Sequence, residues 1–428
     1  MTIGVPHLTT ALQGPLLHLE EHLLQKQTQV ESWLRGQWLE TPAPFYASVD
    51  LRNAGFKLAP VDTNLFPAGF NNLNPAFMPL CIQAVQSAVE HLCPKAQRAL
   101  IIAENHTRNL FYLESLETLR QIFEQAGIEA KIASLREDVT EAMSIELPSG
   151  KTCVLEPLSR KGNRVAIGDY SPCLVVLNND LSGGRPSILN DIEQQVTPPL
   201  AAGWTTRKKS NHFNHYKTVA EQFAEQIDID PWLVSPLSLQ CGQINFKEKA
   251  GIDCLSRQVA SILASIQQKY DEYGIDKEPF VVVKSDSGTY GMGVMMVKSV
   301  EEVANLNRKQ RNKMSSSKEG LEVDNVLIQE GVYTFETIGE TNAVAEPVVY
   351  MMDRFVVGGF YRVHTGRGEN ENLNAPGMHF EPLAFAQSCI TPDKQDALDS
   401  GPNRFYAYGV IARLALLAAA RELKALQH

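Results

Sequence analysis

Pro279-Phe-Val-Val-Val-Lys-Ser-Asp-Ser-Gly-Thr-Tyr-Gly-Met-Gly-Val-Met-Met-Val297 decides how the rest of the chain is read. A β-branched apolar run, Phe280–Val283, ends in Lys284. A loop with Gly288, Gly291 and Gly293 follows, and a second apolar run, Val294–Val297, closes it. The pattern is strand, glycine loop, strand. A Walker loop needs a Lys-Ser/Thr pair after its last glycine, and a dinucleotide fingerprint needs G-x-G-x-x-G opening a helix. Neither is present. A glycine hairpin of this kind can fold over a triphosphate as a flap, its bare N–H groups facing phosphate oxygens and Lys284 adding a point charge from the strand. An ordinary hairpin turn explains the same residues equally well.

Working outward, 428 residues exceed what one core of roughly 250–300 residues holds, so two or more domains are expected. A net charge of −10 argues against a nucleic-acid or membrane-surface partner. The seven cysteines include no C-x-x-C pair, which fits reduced thiols in the cytoplasm and opposes a disulfide framework or zinc site. The N-terminus lacks the basic n-region of a signal peptide, and no apolar run approaches a membrane span.

Segment 1–44 reads as helical, with apolar positions spaced three and four apart over 8–38. Segment 45–95 opens with two extended runs around Asn53-Ala54-Gly55, a hairpin signal, and continues into a helix at 75–93. Segment 96–203 contains ALIIAEN, an amphipathic helix and AKIASL, a βαβ unit of a doubly wound α/β sheet. A further buried strand, Cys173–Leu177, ends in Asn178-Asn179-Asp180. Ligands collect at the carboxyl ends of such strands, where Glu104, Asn105 and Asp180 stand. Segment 204–428 begins with the basic stretch WTTRKKSNHFNHYK before a helix at 217–227, carries the glycine hairpin, and ends in a long apolar helix, 404–426. Core and oligomer interface are both open for that helix.

In the same segment, Val326–Val332 is a strand whose backbone can read an adenine edge, Arg362 sits on a strand where a cation can neutralise a transferring phosphoryl group, and Asn370–Gly377 is a polar loop. In this order the elements resemble the ATP-grasp ligases, glutathione synthetase most closely. The resemblance implies that Lys217, Lys284, Ser287, Gly288, Gly291, Gly293, Gln329, Glu330, Val332 and Glu346 bind ATP. It also implies that Arg362, Lys284 and Asn372 serve catalysis. The family continues with strands bearing acidic metal ligands, which this chain lacks after Gly377. Val49–Asn64 supplies an acidic strand, a turn and a strand ending Asp-x-Asn. Period two puts Asp62 and Asn64 on one face, and an adjacent strand can add Asp50, an oxygen-only set suited to Mg²⁺. The expected fold is therefore an α/β, circularly permuted ATP-grasp with a Rossmann-like substrate domain, using ATP and two Mg²⁺.

SVDLRNAGFKLAPVDTNLFPAGFNNLNPAF, the WTTRKK stretch and KSDSGTYGMGV together are similar to the small bacterial glutamate–cysteine ligase family. That resemblance implies ATP-driven amide formation between the γ-carboxylate of L-glutamate and the amine of L-cysteine. The partners would be small molecules, and Arg52, Arg108 or Arg367 could grip the glutamate α-carboxylate, with Glu104 and Asn105 as further substrate contacts. A different ligase on the same scaffold, such as glutathione synthetase, and a non-catalytic ATP-binding sensor are the alternatives.

Overall fold

A computed structural model describes residues 8–9, 14–105, 109–288, 293–315, 323–383 and 404–426. The N-terminal helical stretch is two helices, Pro15–Gln25 and Gln27–Glu40, joined at Lys26. Pro15 sits at a first helical position, where its missing N–H costs nothing.

A seven-stranded antiparallel sheet forms the centre. Its long strands are Ala343–Met352 and Phe355–His364, paired along their lengths. The N-terminal hairpin, Tyr46–Asn53 with Leu58–Asn64, joins the same sheet: Tyr46–Asn53 runs antiparallel to Ala343–Met352 with Asp50 opposite Val348. The hairpin closes through Gly55, whose φ of 79° lies where a glycine is favoured and whose N–H bonds Asn53 Oδ1. Ala343–Met352 is buried on both faces. Its odd-numbered residues Ala345, Val349 and Met351 pack in the core shared with the C-terminal helix, and Val348, Tyr350 and Met352 pack towards the helix Met78–Leu92. The C-terminal helix, Arg404–Ala425, is buried almost all round from Tyr406 to Ala420, so its apolar run is core.

A six-stranded sheet follows the doubly wound expectation. Strand Arg98–Ala103 leads through helix Leu110–Gln125 to the parallel strand Glu129–Ser134. Leu174–Asn178 then pairs in parallel with the other side of Arg98–Ala103, so the strand order reverses between these two.

The third sheet is antiparallel, in the order Ser238–Gly242, Asn325–Glu330, Val281–Ser285, Val294–Val297. Lys284 pairs with Val294, so the glycine loop is a hairpin as expected. Helix Ile252–Tyr273 covers the sheet with Leu255, Val259, Ile262, Ile266 and Tyr270. The helix expected over 217–227 starts earlier, at Lys209, and runs to Ile227. Asp286 fixes that start by accepting from the Ser210 N–H at 2.7 Å and the Ser210 hydroxyl at 2.8 Å. No helix among the described residues is long and apolar enough to cross a membrane.

Candidate active site

A cleft of about 820 Å³ lies between the central sheet and the glycine-hairpin sheet. Lys284 points into it from Val281–Ser285 and donates to the Val61 carbonyl and to Gln329 Oε1, each at 2.7 Å. Burial lowers its pKa to about 8; Asp62 opposes that shift, while Lys209 and Arg52 add to it. Gln329 Nε2 is buried and has no protein acceptor among the described residues. Beside it, Val282, Val294, Met296 and Val332 give the cleft an apolar lining.

Lys209, at the helix start, is a second cation of the cleft. Its Nζ donates to the Gly288 carbonyl at 2.8 Å, stands 3.7 Å from Asp62 Oδ1 and lies 4.0 Å over the Trp204 ring. Asp286 ties the flap base to this helix, because its carbonyl accepts the Lys209 N–H while its carboxylate holds Ser210 and Gln240.

The opposite wall is acidic. Asp50 and Asp62 are direct cross-strand partners. Arg362 donates to Asp50 Oδ2 at 2.9 Å and makes a short bond to Glu346. Arg52 donates to Glu346 at 3.1 Å, to the Val332 carbonyl at 3.1 Å and to the Glu371 carbonyl at 2.5 Å. Burial, reinforced by the neighbouring Glu346 and Asp62 charges, raises the Asp50 carboxyl despite Arg362. Burial also works to raise Glu346, but Arg362 and Arg52 outweigh it and hold it below the usual range. For Asp62, burial is likewise overcome, by Lys209, Lys284 and Arg207, and its carboxyl is lowered.

Of the residues singled out from sequence, Asp50, Arg52, Asp62, Lys284, Gly288, Gln329, Glu330, Val332, Glu346, Arg362 and Asn372 line this cleft. The Glu330 carboxylate turns away into the core, where it accepts from Lys57 at 2.7 Å and from Trp232 Nε1 at 3.1 Å. Ser287 and Gly293 form the flap base: the Ser285 hydroxyl donates to the Ser287 carbonyl, and the Ser285 N–H to the Gly293 carbonyl. Asn64 sits beyond the cleft lining, its Oδ1 accepting from the Phe66 N–H at 2.9 Å. Lys217 faces outward in an i,i+4 pair with Glu221, two turns after Lys209, and does not reach the cleft. Arg367 is exposed and pairs with Glu371. Glu104 and Asn105 line a different cleft. Gly291 and Arg108 lie outside the described residues. Sequence reasoning passed over Lys209 and Asp286. The periodic row Phe213, Tyr216, Ala220, Phe223, Ile227 extends back to Lys209 and was the available signal.

The donor set fits Mg²⁺ and a nucleotide. Two carboxylates facing one cleft are hard oxygen ligands, and Mg²⁺ normally completes its shell with water and substrate phosphates. Among the described residues no three acidic, His or Cys groups gather closely enough to hold a metal ion by themselves. The apolar lining suits a base, and the two lysines suit phosphates.

The family model described as GshA, glutamate-cysteine ligase, matches residues 20–423. A solved structure from Methylobacillus flagellatus KT, provisionally named a gamma-glutamylcysteine synthetase, is 61% identical over 98% of this chain and 99% of its own, with a TM-score of 0.91. A glutathione synthetase-like effector of Globodera pallida matches at 10% identity over 89% of this chain and 86% of its own, with a TM-score of 0.39. D-alanyl-alanine synthetase A of Vibrio cholerae O1 matches at 12% over 74% and 81%, with a TM-score of 0.35. The last two similarities are too slight to carry an argument. Among curated proteins, none matches. The protein is an ATP-dependent ligase. More narrowly, the chain belongs to the glutamate–cysteine ligase family.

Proposed function

We propose that the protein joins the γ-carboxylate of L-glutamate to the amine of L-cysteine at the expense of ATP, on a circularly permuted ATP-grasp core. The observation that carries this reading is the convergence of the Asp50/Asp62 hairpin with Arg362, Lys284 and Lys209 in one cleft.

A carboxylate resists attack by an amine because its oxygen is a poor leaving group. A γ-carboxylate oxygen of glutamate attacks the γ-phosphorus of ATP, giving ADP and an acyl phosphate. The cysteine nitrogen then adds to the acyl carbon and loses a proton, and the C–O bond to phosphate breaks. Phosphate leaves with one former carboxylate oxygen. Lys284 and Lys209 neutralise the transferring phosphates, and Arg362 meets charge developing at phosphorus and then at the tetrahedral carbon. Arg362 is held for this task by Asp50 and Glu346. Arg52 braces Glu346, the Val332 carbonyl and the Asn370–Gly377 loop, which gives it a positioning role. Asp50 and Asp62 would hold two Mg²⁺, which neutralise the polyphosphate. Asn64, with its oxygen taken by Phe66 N–H, is the least ready of the three proposed ligands. The cytoplasm, with its ATP and reduced cysteine, is the proposed location.

ADP release with L-glutamate plus L-cysteine, compared with γ-glutamylcysteine plus glycine and with other amino-acid pairs, tests the assignment. Turnover with the first pair is expected. ADP formed only with the dipeptide and glycine would transfer the protein to the glutathione synthetase reaction.

A further inference from the structure

His364 ends the strand Phe355–His364, opposite Val344 in the ladder. Period two puts it on the same face as Arg362, whose guanidinium reaches Asp50 in the cleft. The residue is buried, and both ring nitrogens meet backbone. Nδ1 accepts the Gly366 N–H at 3.0 Å, and Nε2 lies 3.1 Å from the Pro376 carbonyl oxygen. An N–H can only donate and a carbonyl can only accept. Both bonds are made together only by the neutral ring with its proton on Nε2, which then donates to Pro376.

The Pro376 bond matters because of where its loop goes. Asn370, Glu371, Asn372 and Asn374 of the Asn370–Gly377 loop line the cleft. The front of the loop is tied twice: the Thr334 N–H donates to the Glu369 carbonyl at 2.7 Å, and Arg52 holds the Glu371 carbonyl. Leu373 is buried in its middle. The rear rests on His364. Pro376 has no N–H, so its carbonyl is the one backbone group by which that residue can be tied. Gly377 adopts a φ of 97°, where glycine is favoured, and a Cβ there would stand 3.5 Å from Nε2.

We infer that His364 is a positioning residue for the ligase reaction: through its Nε2 proton it fixes the rear of the Asn370–Gly377 loop, so that Asn372 and Asn374 are presented beside Arg362. The word reaction rests on the ligase reading; the clamp itself does not. Asparagine and glutamine separate the two arms of the ring, because an Asn amide reaches about as far as Nδ1 and a Gln amide about as far as Nε2. His364→Asn keeps an acceptor for Gly366 and loses the donor to Pro376, whereas His364→Gln keeps that donor. With L-glutamate, L-cysteine and ATP, kcat should fall about tenfold to hundredfold in His364→Asn and stay within about threefold of wild type in His364→Gln. The KM for ATP should stay within about twofold in both, since the lysines and apolar lining stand on other elements. An equal or reversed effect of the two variants on kcat would overturn the role. A second arm needs no turnover: hydrogen exchange of the full chain over residues 370–377. Faster exchange confined to this loop in His364→Asn, with wild-type exchange in His364→Gln, supports the clamp even if the ligase assay is silent, in which case only the ligase reading fails. Exchange that is unchanged in His364→Asn, equally raised in both variants or raised throughout the sheet overturns it.

Discussion

Lys284 is a buried cation whose proton is in play near neutral pH. Its folded pKa is lowered to about 8 from an ordinary 10.5, chiefly by burial. The folded chain therefore binds fewer protons than the unfolded chain between those values, so this group's contribution to stability rises with pH across that window and is lost as pH falls through about 8. Activity runs the opposite way, because only the cation neutralises phosphate. The kcat/KM for ATP should fall as pH rises through about 8. In Lys284→Arg, whose charge persists, that limb should move upward; an alkaline limb at the same pH would assign it to another group. The two lysines of the helix Lys209–Ile227 give a sharper contrast. Lys209→Ala should raise the KM for ATP about tenfold to hundredfold, and Lys217→Ala should leave it unchanged. Equal effects would mean that the outward Lys217 takes part after all. Asp62→Asn should raise the Mg²⁺ concentration needed for half-maximal rate, read from a metal titration at saturating ATP. An unaltered titration would remove Asp62 from the metal site. Lys284 and Arg362 were legible because each interrupts an apolar strand, where a charge needs a reason. Lys209 was not, because it stands in a run of basic residues that looks like solvated surface.

At the scale of elements, the C-terminal helix supports the site from behind. Glu422 on that helix accepts from Arg207 Nε with both oxygens at 3.1 Å, and Arg207 donates to the Thr63 carbonyl beside Asp62. Both side chains are almost wholly buried. Removing the carboxylate would strand a buried guanidinium, so Glu422→Ala should cost about 3 to 5 kcal/mol in urea unfolding. A loss below about 1 kcal/mol would show that the pair does not couple helix to hairpin. The glycine hairpin, the βαβ unit, the N-terminal hairpin and the C-terminal helix were legible, because each carries a clean local period or turn signal. Helix Ile252–Tyr273 went unmarked although Leu255, Val259, Ile262 and Ile266 recur at four, three and four. Its mean composition is polar, and only the spacing reveals its apolar face. Strand Ser238–Gly242 is short and half exposed at a sheet edge, where little alternation is required.

At the scale of the molecule, the site exists because residues nearly 300 positions apart share one sheet: Asp50 faces Val348, and Arg362 on the next strand reaches Asp50. Local pattern gives strands but not their partners, so periodicity alone could place neither this pairing nor its register. What pointed to the hairpin was the resemblance to the ATP-grasp ligases, whose acidic metal-ligand strands have no counterpart after Gly377, while Val49–Asn64 carries an acidic strand, a turn and a strand ending Asp-x-Asn. The central claim is that carboxylate activation by ATP occurs in this cleft. The direct measurement supplies L-glutamate carrying oxygen-18 in its γ-carboxylate, with L-cysteine, ATP and Mg²⁺, and weighs the phosphate released. The account predicts one labelled oxygen in each phosphate formed alongside the dipeptide. Unlabelled phosphate accompanying that product would contradict it.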